Sequence, residues 1–275
     1  MSIRYVYNDI DGCIGDFAKP RFPDKQNLSD NEYELHSLLD LVKQTPEITF
    51  AVVTGRSVHE ADNIIHYLNF TGVSVCEMGN VIYSPGEKSC FLYRNLDLSP
   101  ECKAFLDSFI RWRNSLDIEA LTREKFPESG VKFLKDRLCM VTFEFDRNIG
   151  RDLSNWLYTF FFPESVKKAI DLGYLKLIFS DGALDILPFI GKSSAMKYLD
   201  YRKDIKLDQT LSIGDSFHSD YDYMKISGYA GCPSNADPRI LQLVREKKEK
   251  GFISRKSHGE GNVDIIRYAV KNWLG

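Results

Sequence analysis

Four short stretches of this 275-residue chain carry residue types that could do chemistry. Asp9-Ile10-Asp11-Gly12 sets two carboxylates two positions apart at the end of an apolar run, Ile3 to Tyr7. Carboxylates held together with no adjoining lysine or arginine repel unless a cation lies between them. Hard oxygen donors of this sort suit Mg2+, which usually takes one or two carboxylates and keeps several waters. A solvated turn is the plainer reading of the same four residues. Thr54-Gly55-Arg56 closes a second apolar run, Ile48 to Val53. A hydroxyl with backbone N–H groups at a helix start can hold an anion, and Thr54 as a simple helix cap reads equally well. Gly191-Lys192-Ser193-Ser194 invites comparison with the phosphate-cradling G-x-x-x-x-G-K-S loop, but the first glycine of that pattern would fall at Ile186, so the comparison fails. What remains is Lys192, a lysine just ahead of a helix start, which on its own reads as a surface cation. Gly214-Asp215 ends a third apolar run, Leu211 to Ile213, and is followed by Ser216, Phe217, His218, Ser219 and Asp220. Asp215 repeats the logic of Asp9, or caps a helix.

The elements that must position these residues can be read from periodicity. Ile3–Tyr7 reads as a buried strand. Ser29-x-x-Glu32 forms a capping box ahead of Leu35, Leu38, Leu39 and Val42, which recur at helical spacing until Pro46. Ile48–Val53 is a β-branched run suited to a strand covered on both faces. Ser57-x-x-Glu60 is a second capping box and opens the next helix. Strand, helix, strand, helix, with the chemistry-bearing loops at strand ends, is the rhythm of a parallel sheet built from βαβ units. From Val81 to about Leu187 the rhythm changes to short strands, Phe91–Tyr93, Leu138–Phe145 and Leu175–Phe179, around two helices. One starts at Ser99-Pro100 and would bury Phe105, Phe109, Trp112 and Leu116; the other, near 150–162, carries Leu153, Trp156, Leu157 and Phe160. Afterwards the first rhythm returns, with a helix over 193–201, strands at 211–214 and 228–232, a helix opened by Asp237-Pro238 and a last helix from about Val263 to Trp273. The Arg245–Lys250 charge run reads as a solvated helix end. The expected organisation is an α/β core over residues 1–84 and 185–275, with an α+β insert over 85–184 at a strand-to-helix connection, a place for a lid.

Two acids, a hydroxyl, a lysine and another acid therefore each end or follow an apolar strand, and a parallel sheet would gather them at one edge. In that order the chain resembles the haloacid dehalogenase superfamily of phosphotransferases. It is most similar to the Cof-like branch, in which a large α+β cap lies between the second and third motifs. Asp9-Ile10-Asp11-Gly12 matches the first motif, Thr54-Gly55-Arg56 the second, Lys192 the third, and Gly214-Asp215 with Asp220 the fourth. Glu77–Ile82 stands where the branch has an Asn-Gly-Ala-Val-Ile-like hairpin, and Gly228-Tyr229 through Asn235-Ala236 where its Gly-Tyr…Asn-Ala stretch falls. The insert matches in size and position, not in residues. Two departures stand out. Cys13 replaces the usual threonine, and the fourth motif is long, so that Ser219, Asp220 and Asp222 all compete for its second acid, with Asp220 favoured.

The resemblance implies a Rossmann-like core with an inserted cap and a Mg2+-dependent phosphatase acting on a small phosphorylated metabolite, with sugar phosphates foremost. It implies Asp9 as nucleophile through an aspartyl-phosphate and Asp11 as acid and base. Mg2+ would be held by Asp9, the Asp11 main-chain carbonyl, Asp215 and Asp220. Thr54, Gly55, Arg56, Lys192 and His218 would be the substrate contacts, of which Thr54 and Lys192 also count as catalytic. A phosphomutase of the same superfamily and a catalytically silent binding protein on this fold are the alternatives.

Composition narrows the classes. Lys and Arg number 36 against 39 Asp and Glu, a formal charge of −3 that is too small and of the wrong sign for a generally basic nucleic-acid surface. No apolar run approaches the ~18 residues of a membrane helix, and the start shows no signal-peptide pattern. Six scattered cysteines without a C-x-x-C pair read as reduced thiols. A cytoplasmic protein, without nucleic-acid or membrane partner and either monomeric or dimeric, is the expectation.

Overall fold

The computed structural model describes residues 2–15, 32–87, 89–115, 118–146, 149–180 and 182–274. Ser29, and with it the first expected capping box, lies outside the described residues, as does Leu116. The chain divides into two compact units, 1–90 with 191–275, and 91–190.

The first unit is built on a five-stranded sheet in which every pairing is parallel. Its strands are β1 (Tyr5–Asn8), β2 (Thr49–Val52), β10 (Thr210–Ile213), β11 (Tyr229–Cys232) and β12 (Gly251–Ile253). Val6, Tyr7, Phe50, Ala51, Val52, Leu211 and Ile213 are fully or almost fully buried, as continuous apolar strands of a doubly covered sheet should be. The strands pair in the order β12-β11-β10-β1-β2, so β1 is an interior strand flanked by β10 on one side and by β2, at the edge, on the other. The chain winds one way from β1 and later returns on the other side, which leaves a crevice at the carboxyl end of β1. Helices Glu32–Gln44 and His258–Trp273 pack on each other, and so do Lys192–Arg202 and Phe217–Ile226. Leu35 and Leu38 are buried as the spacing predicts, while the last helix starts five residues before Val263. β12 has no counterpart in the sequence reading; three half-buried residues, Gly-Phe-Ile, carry too little pattern to register as a strand. A short antiparallel hairpin of β3 (Ser74–Cys76) and β4 (Val81–Tyr83) follows helix Val58–Tyr67. The capping box that opens this helix is present in full: Ser57 accepts from the Glu60 N–H and Glu60 from the Ser57 N–H.

The second unit holds an antiparallel sheet in the order β6-β7-β9-β8. Its strands are Lys132–Phe133, Val141–Glu144, Ala183–Pro188 and Leu175–Ser180, the last two being β9 and β8. β9 pairs with β8 along its whole length and with β7 over Ala183 to Ile186, so a boundary at 184/185 would cut an interior strand; the division falls after Ile190 instead. Helix Pro100–Ser115 is capped by Ser99 Oγ, which accepts from the Cys102 N–H at 3.1 Å. It buries Phe109 and Trp112, with Phe105 half-buried. In helix Gly150–Phe160, Leu153 and Leu157 are buried, but Phe160 is 71% exposed, because the inward stripe runs through Gly150 and Ser154 rather than on to the last turn. The aromatic residues of this unit are mostly packing: Trp112 meets Phe162 edge-on at 5.1 Å, and its Nε1 donates to the Phe161 carbonyl. All six cysteines are thiols rather than disulfides. Among the described residues no helix is long and apolar enough to cross a membrane.

Candidate active site at the carboxyl edge of the parallel sheet

Each of the four stretches lies in the first unit, and three of them follow neighbouring strands of its sheet. The ladder carries them there. Asp9 N–H donates to Ile213 C=O at 2.9 Å, and Val53 N–H to Asn8 C=O at 2.8 Å, so the loops after β1, β2 and β10 leave the sheet side by side. The Gly191–Lys192 turn joins them at the start of helix Lys192–Arg202. One carboxylate oxygen from each of Asp9, Asp215 and Asp220 can be chosen so that all lie within 4.8 Å of one another.

Lys192 is buried between two of these acids, its Nζ 3.1 Å from Asp9 Oδ1 and 2.8 Å from Asp220 Oδ1. The ring of Tyr223 lies 5.5 Å from the same ammonium, and its hydroxyl donates to the Ile213 carbonyl. Burial by itself would lower the Lys192 pKa, but Asp220 and Asp9 hold it above the ordinary value. Asp9 is driven well above the usual carboxylate range, chiefly by burial and then by Asp220, in spite of Lys192. Asp215 is pushed up to about 7 by burial and Asp220. Three carboxylates against one ammonium leave two negative charges that the protein does not neutralise, and both shifts register that deficit. A divalent cation with oxygen preference fits the donor set in charge and in chemistry.

The structure brings Asp220, and neither Ser219 nor Asp222, into the carboxylate cluster. Asp220 is fully buried near the start of helix Phe217–Ile226, where Oδ2 accepts from the N–H groups of Asp215 and Ser216 at 3.0 and 2.9 Å. Ser219 Oγ donates to Asp220 Oδ1, and Asp222 is exposed. His218 is exposed with its ring against Phe217, and no contact draws it into the cluster. Asp11 also differs from the expectation. Its carboxylate is half exposed and turned to Arg56, whose Nε lies 3.0 and 3.2 Å from the two oxygens and Nη2 2.5 Å from Oδ1. The side chain of Asp11 is therefore not one of the grouped metal donors, and the fork of Arg56 is spent on it rather than held open for a phosphate. Thr54 is buried, and its Oγ1 accepts from the Arg56 N–H at 3.1 Å.

Several residues that shape the site were named in the sequence only as parts of motifs, with no contact assigned to them. Gly12 sits at φ +74°, and a Cβ there would lie 2.0 Å from Asp215 Oδ2, so a glycine lets the two loops close on each other. Asn235 Nδ2 donates to the Gly12 carbonyl at 3.1 Å and reaches Asp215 Oδ2 at 3.4 Å. Cys13 Sγ stands 4.0 Å from Asp215 Oδ1, and burial followed by Asp215 keeps its thiol protonated, a filler beneath the loop. The turn between β3 and β4 is strained. Glu77, Met78 and Gly79 all have positive φ (49°, 58° and 101°), at a cost of roughly 1–2 kcal/mol for each non-glycine residue. That strain is spent where it positions the site. Glu77 N–H donates to Arg56 C=O, Met78 N–H to Thr54 C=O, and a Cβ on Gly79 would lie 2.6 Å from the backbone nitrogen of Lys192. An Asn–Gly–Ala-like signal marked a hairpin at this place; its left-handed Glu and Met could not be foreseen from residue type.

With this geometry in place, likeness to known proteins becomes informative. The family model for sucrose-6F-phosphate phosphohydrolase matches residues 168–269, a span that takes in Lys192, Asp215 and Asp220. Over that span, 102 of the 275 residues, the chain is similar to a phosphatase family. A phosphoglycolate phosphatase from Methanobrevibacter smithii is 22% identical over 98% of this chain and all of its own length. A solved Thermoplasma acidophilum protein shares the fold with a TM-score of 0.61 at 17% identity, covering 98% of this chain and 99% of its own. The sucrose-phosphatase of Synechocystis sp. PCC6803, solved with sucrose and phosphate, has a TM-score of 0.55 at 18% identity and covers 98% of each chain.

Proposed function

We propose that this chain is a phosphatase of the haloacid dehalogenase superfamily, dependent on Mg2+, that hydrolyses a small phosphorylated metabolite, a sugar phosphate foremost, through a phosphoryl-enzyme on Asp9. The observation that carries the reading is the burial of Asp9 against Lys192 within a carboxylate cluster that lacks two positive charges. Asp9 and Asp215 would hold the cation, joined by the Asp11 main-chain carbonyl. Asp220, whose oxygens already serve Lys192, Ser219 and two backbone N–H groups, would add charge more than a free lone pair. When bound, Mg2+ supplies charge neutralisation for an anionic nucleophile meeting an anionic phosphate.

The chain's own groups account for the rest. An Asp9 carboxylate oxygen attacks phosphorus, the ester P–O bond breaks, and the departing alkoxide takes a proton from Asp11. Asp11, now a carboxylate, removes a proton from water as the water attacks phosphorus, and orthophosphate leaves with Asp9 restored. Lys192 offsets charge beside the nucleophile. Thr54 and the Gly55 N–H are the proposed holders of the equatorial phosphate oxygens, and Thr54 is buried beside the Arg56 backbone at the right strand end. Asp11 and Asp9 are both present, which favours phosphate-ester chemistry over carbon–halogen cleavage.

The sugar-phosphate class is supported by the description of the matching family model, and phosphoglycolate by a weaker likeness along the full chain. The test is a phosphate-release screen over sugar phosphates, phosphoglycolate, nucleotides and cofactor phosphates, with and without Mg2+. Stoichiometric orthophosphate from a sugar phosphate, dependent on Mg2+, is expected. Isomerised sugar phosphate without free phosphate would point to a mutase, and no turnover of any compound to a silent binding protein.

A further inference from the structure

Arg56 is spent in an unusual way for a residue beside a phosphate site. Its guanidinium is only 6% exposed. Two of its three nitrogens face Asp11, and the third lies 3.6 Å from Glu60 Oε1. Glu60 is itself immobilised, because Oε2 accepts from both the N–H and the Oγ of Ser57 in the capping box. The Arg56 backbone is pinned on both sides, its N–H on Thr54 Oγ1 and its C=O by the Glu77 N–H. The result is a rigid chain of contacts, Ser57 to Glu60 to Arg56 to Asp11, that ends on a half-exposed carboxylate in a loop. A carboxylate so placed would otherwise exchange rotamers with water. A bidentate fork leaves it one orientation.

We propose that Arg56 is a positioning residue for Asp11, fixing the acid that serves the leaving group, and that Glu60 acts one step further back by holding Arg56. The inference rests on the phosphatase reading above. It differs from a phosphate-ligand role for Arg56 in what each would do to kinetics. A phosphate ligand contributes equally whatever alcohol departs. A residue that aims Asp11 matters in proportion to how much the leaving group needs a proton.

The experiment compares two substrates in single turnover with Mg2+, using wild type, Arg56→Lys and Glu60→Gln in the full chain. With p-nitrophenyl phosphate, whose leaving group needs little protonation, the burst of nitrophenolate should stay within about tenfold of wild type. Phosphoryl transfer from a simple alkyl phosphate should fall about a hundredfold in Arg56→Lys, the scale of a misaimed general acid, and less but in the same sense in Glu60→Gln. Lysine cannot make the fork and should not rescue. In an Asp11→Asn background, Arg56→Lys should cost nothing further on the alkyl substrate, because both changes remove one function. Inhibition by orthophosphate should be unchanged. Equal losses on both substrates, additive losses with Asp11→Asn, or tenfold weaker inhibition by orthophosphate would overturn the proposal; Glu60→Gln alone decides it if Arg56→Lys does not fold. A wild-type chain that transfers no phosphate from either substrate would overturn the functional reading and this proposal with it, whereas active wild type with leaving-group-independent losses overturns only this one.

Discussion

Replacing Lys192 by methionine keeps the length of the side chain and removes its charge, and the structure sets the size of the effect. Were Lys192 an ordinary surface cation, the change would stay within about 0.5 kcal/mol. Its Nζ instead lies 3.1 Å from Asp9 and 2.8 Å from Asp220, with the side chain 2% exposed. Removing one partner of a buried ion pair leaves an uncompensated charge, at about 3–5 kcal/mol. Asp9 can relieve part of that by holding a proton, as its raised pKa already shows, so the lower edge applies: about 3 kcal/mol near pH 8 without metal. At roughly 2–4 °C per kcal/mol for a domain of this size, the melting transition of the first unit should drop by about 6–12 °C. Calorimetry of the metal-free protein would show this, with the drop shrinking as pH falls and Asp9 takes up its proton. Phosphate release should fall at least about a hundredfold, the usual cost of one preorganised electrostatic partner. A melting temperature within 1 °C of wild type at pH 8 would refute the buried bridge and the reasoning built on it.

Three further outcomes follow from the same geometry. Gly12→Ala, whose Cβ would sit 2.0 Å from Asp215 Oδ2 on a backbone at φ +74°, should weaken Mg2+ binding at least about tenfold by calorimetric titration; unchanged affinity would show that the two loops do not close on each other. Asp215, pushed up to about 7 against an unfolded value near 3.9, holds a proton in the metal-free fold that the unfolded chain lacks. That contribution is complete below about pH 4 and is lost as pH rises through 7, so Mg2+ should bind more tightly, and displace less proton, as pH climbs from 6 to 8; pH-independent affinity would contradict it. Ser57→Ala removes a buried capping box at the base of the Arg56 chain and should cost about 1 kcal/mol in denaturant unfolding, while an unchanged midpoint would show the cap to be idle.

How far the site could be read beforehand varied with the kind of information each residue carries. Asp9, Thr54 and Asp215 were legible because each follows a run of apolar residues, and a parallel sheet puts all such strand ends on one edge. Lys192 was legible by its order in the chain. The choice of Asp220 over Ser219 and Asp222 depended on how helix Phe217–Ile226 meets the loop after β10, where two N–H groups select one carboxylate. The Arg56–Asp11 pair joins residues 45 apart, and nothing in either local pattern announces it. Asn235 reaches Gly12 across more than 200 residues and was visible only as part of a stretch shared with the Cof-like branch. The β9 boundary was missed for a related reason: residues 185–188 were assigned to the core, yet this strand pairs with β7 and β8.

The most direct test of the central claim is acid quenching of the Mg2+-loaded enzyme during turnover of p-nitrophenyl phosphate, followed by peptide mass spectrometry. A phosphoryl group on Asp9 is predicted, absent from Asp9→Asn, which should also release no phosphate. A phosphoryl group on another residue, or full turnover by Asp9→Asn, would contradict the account.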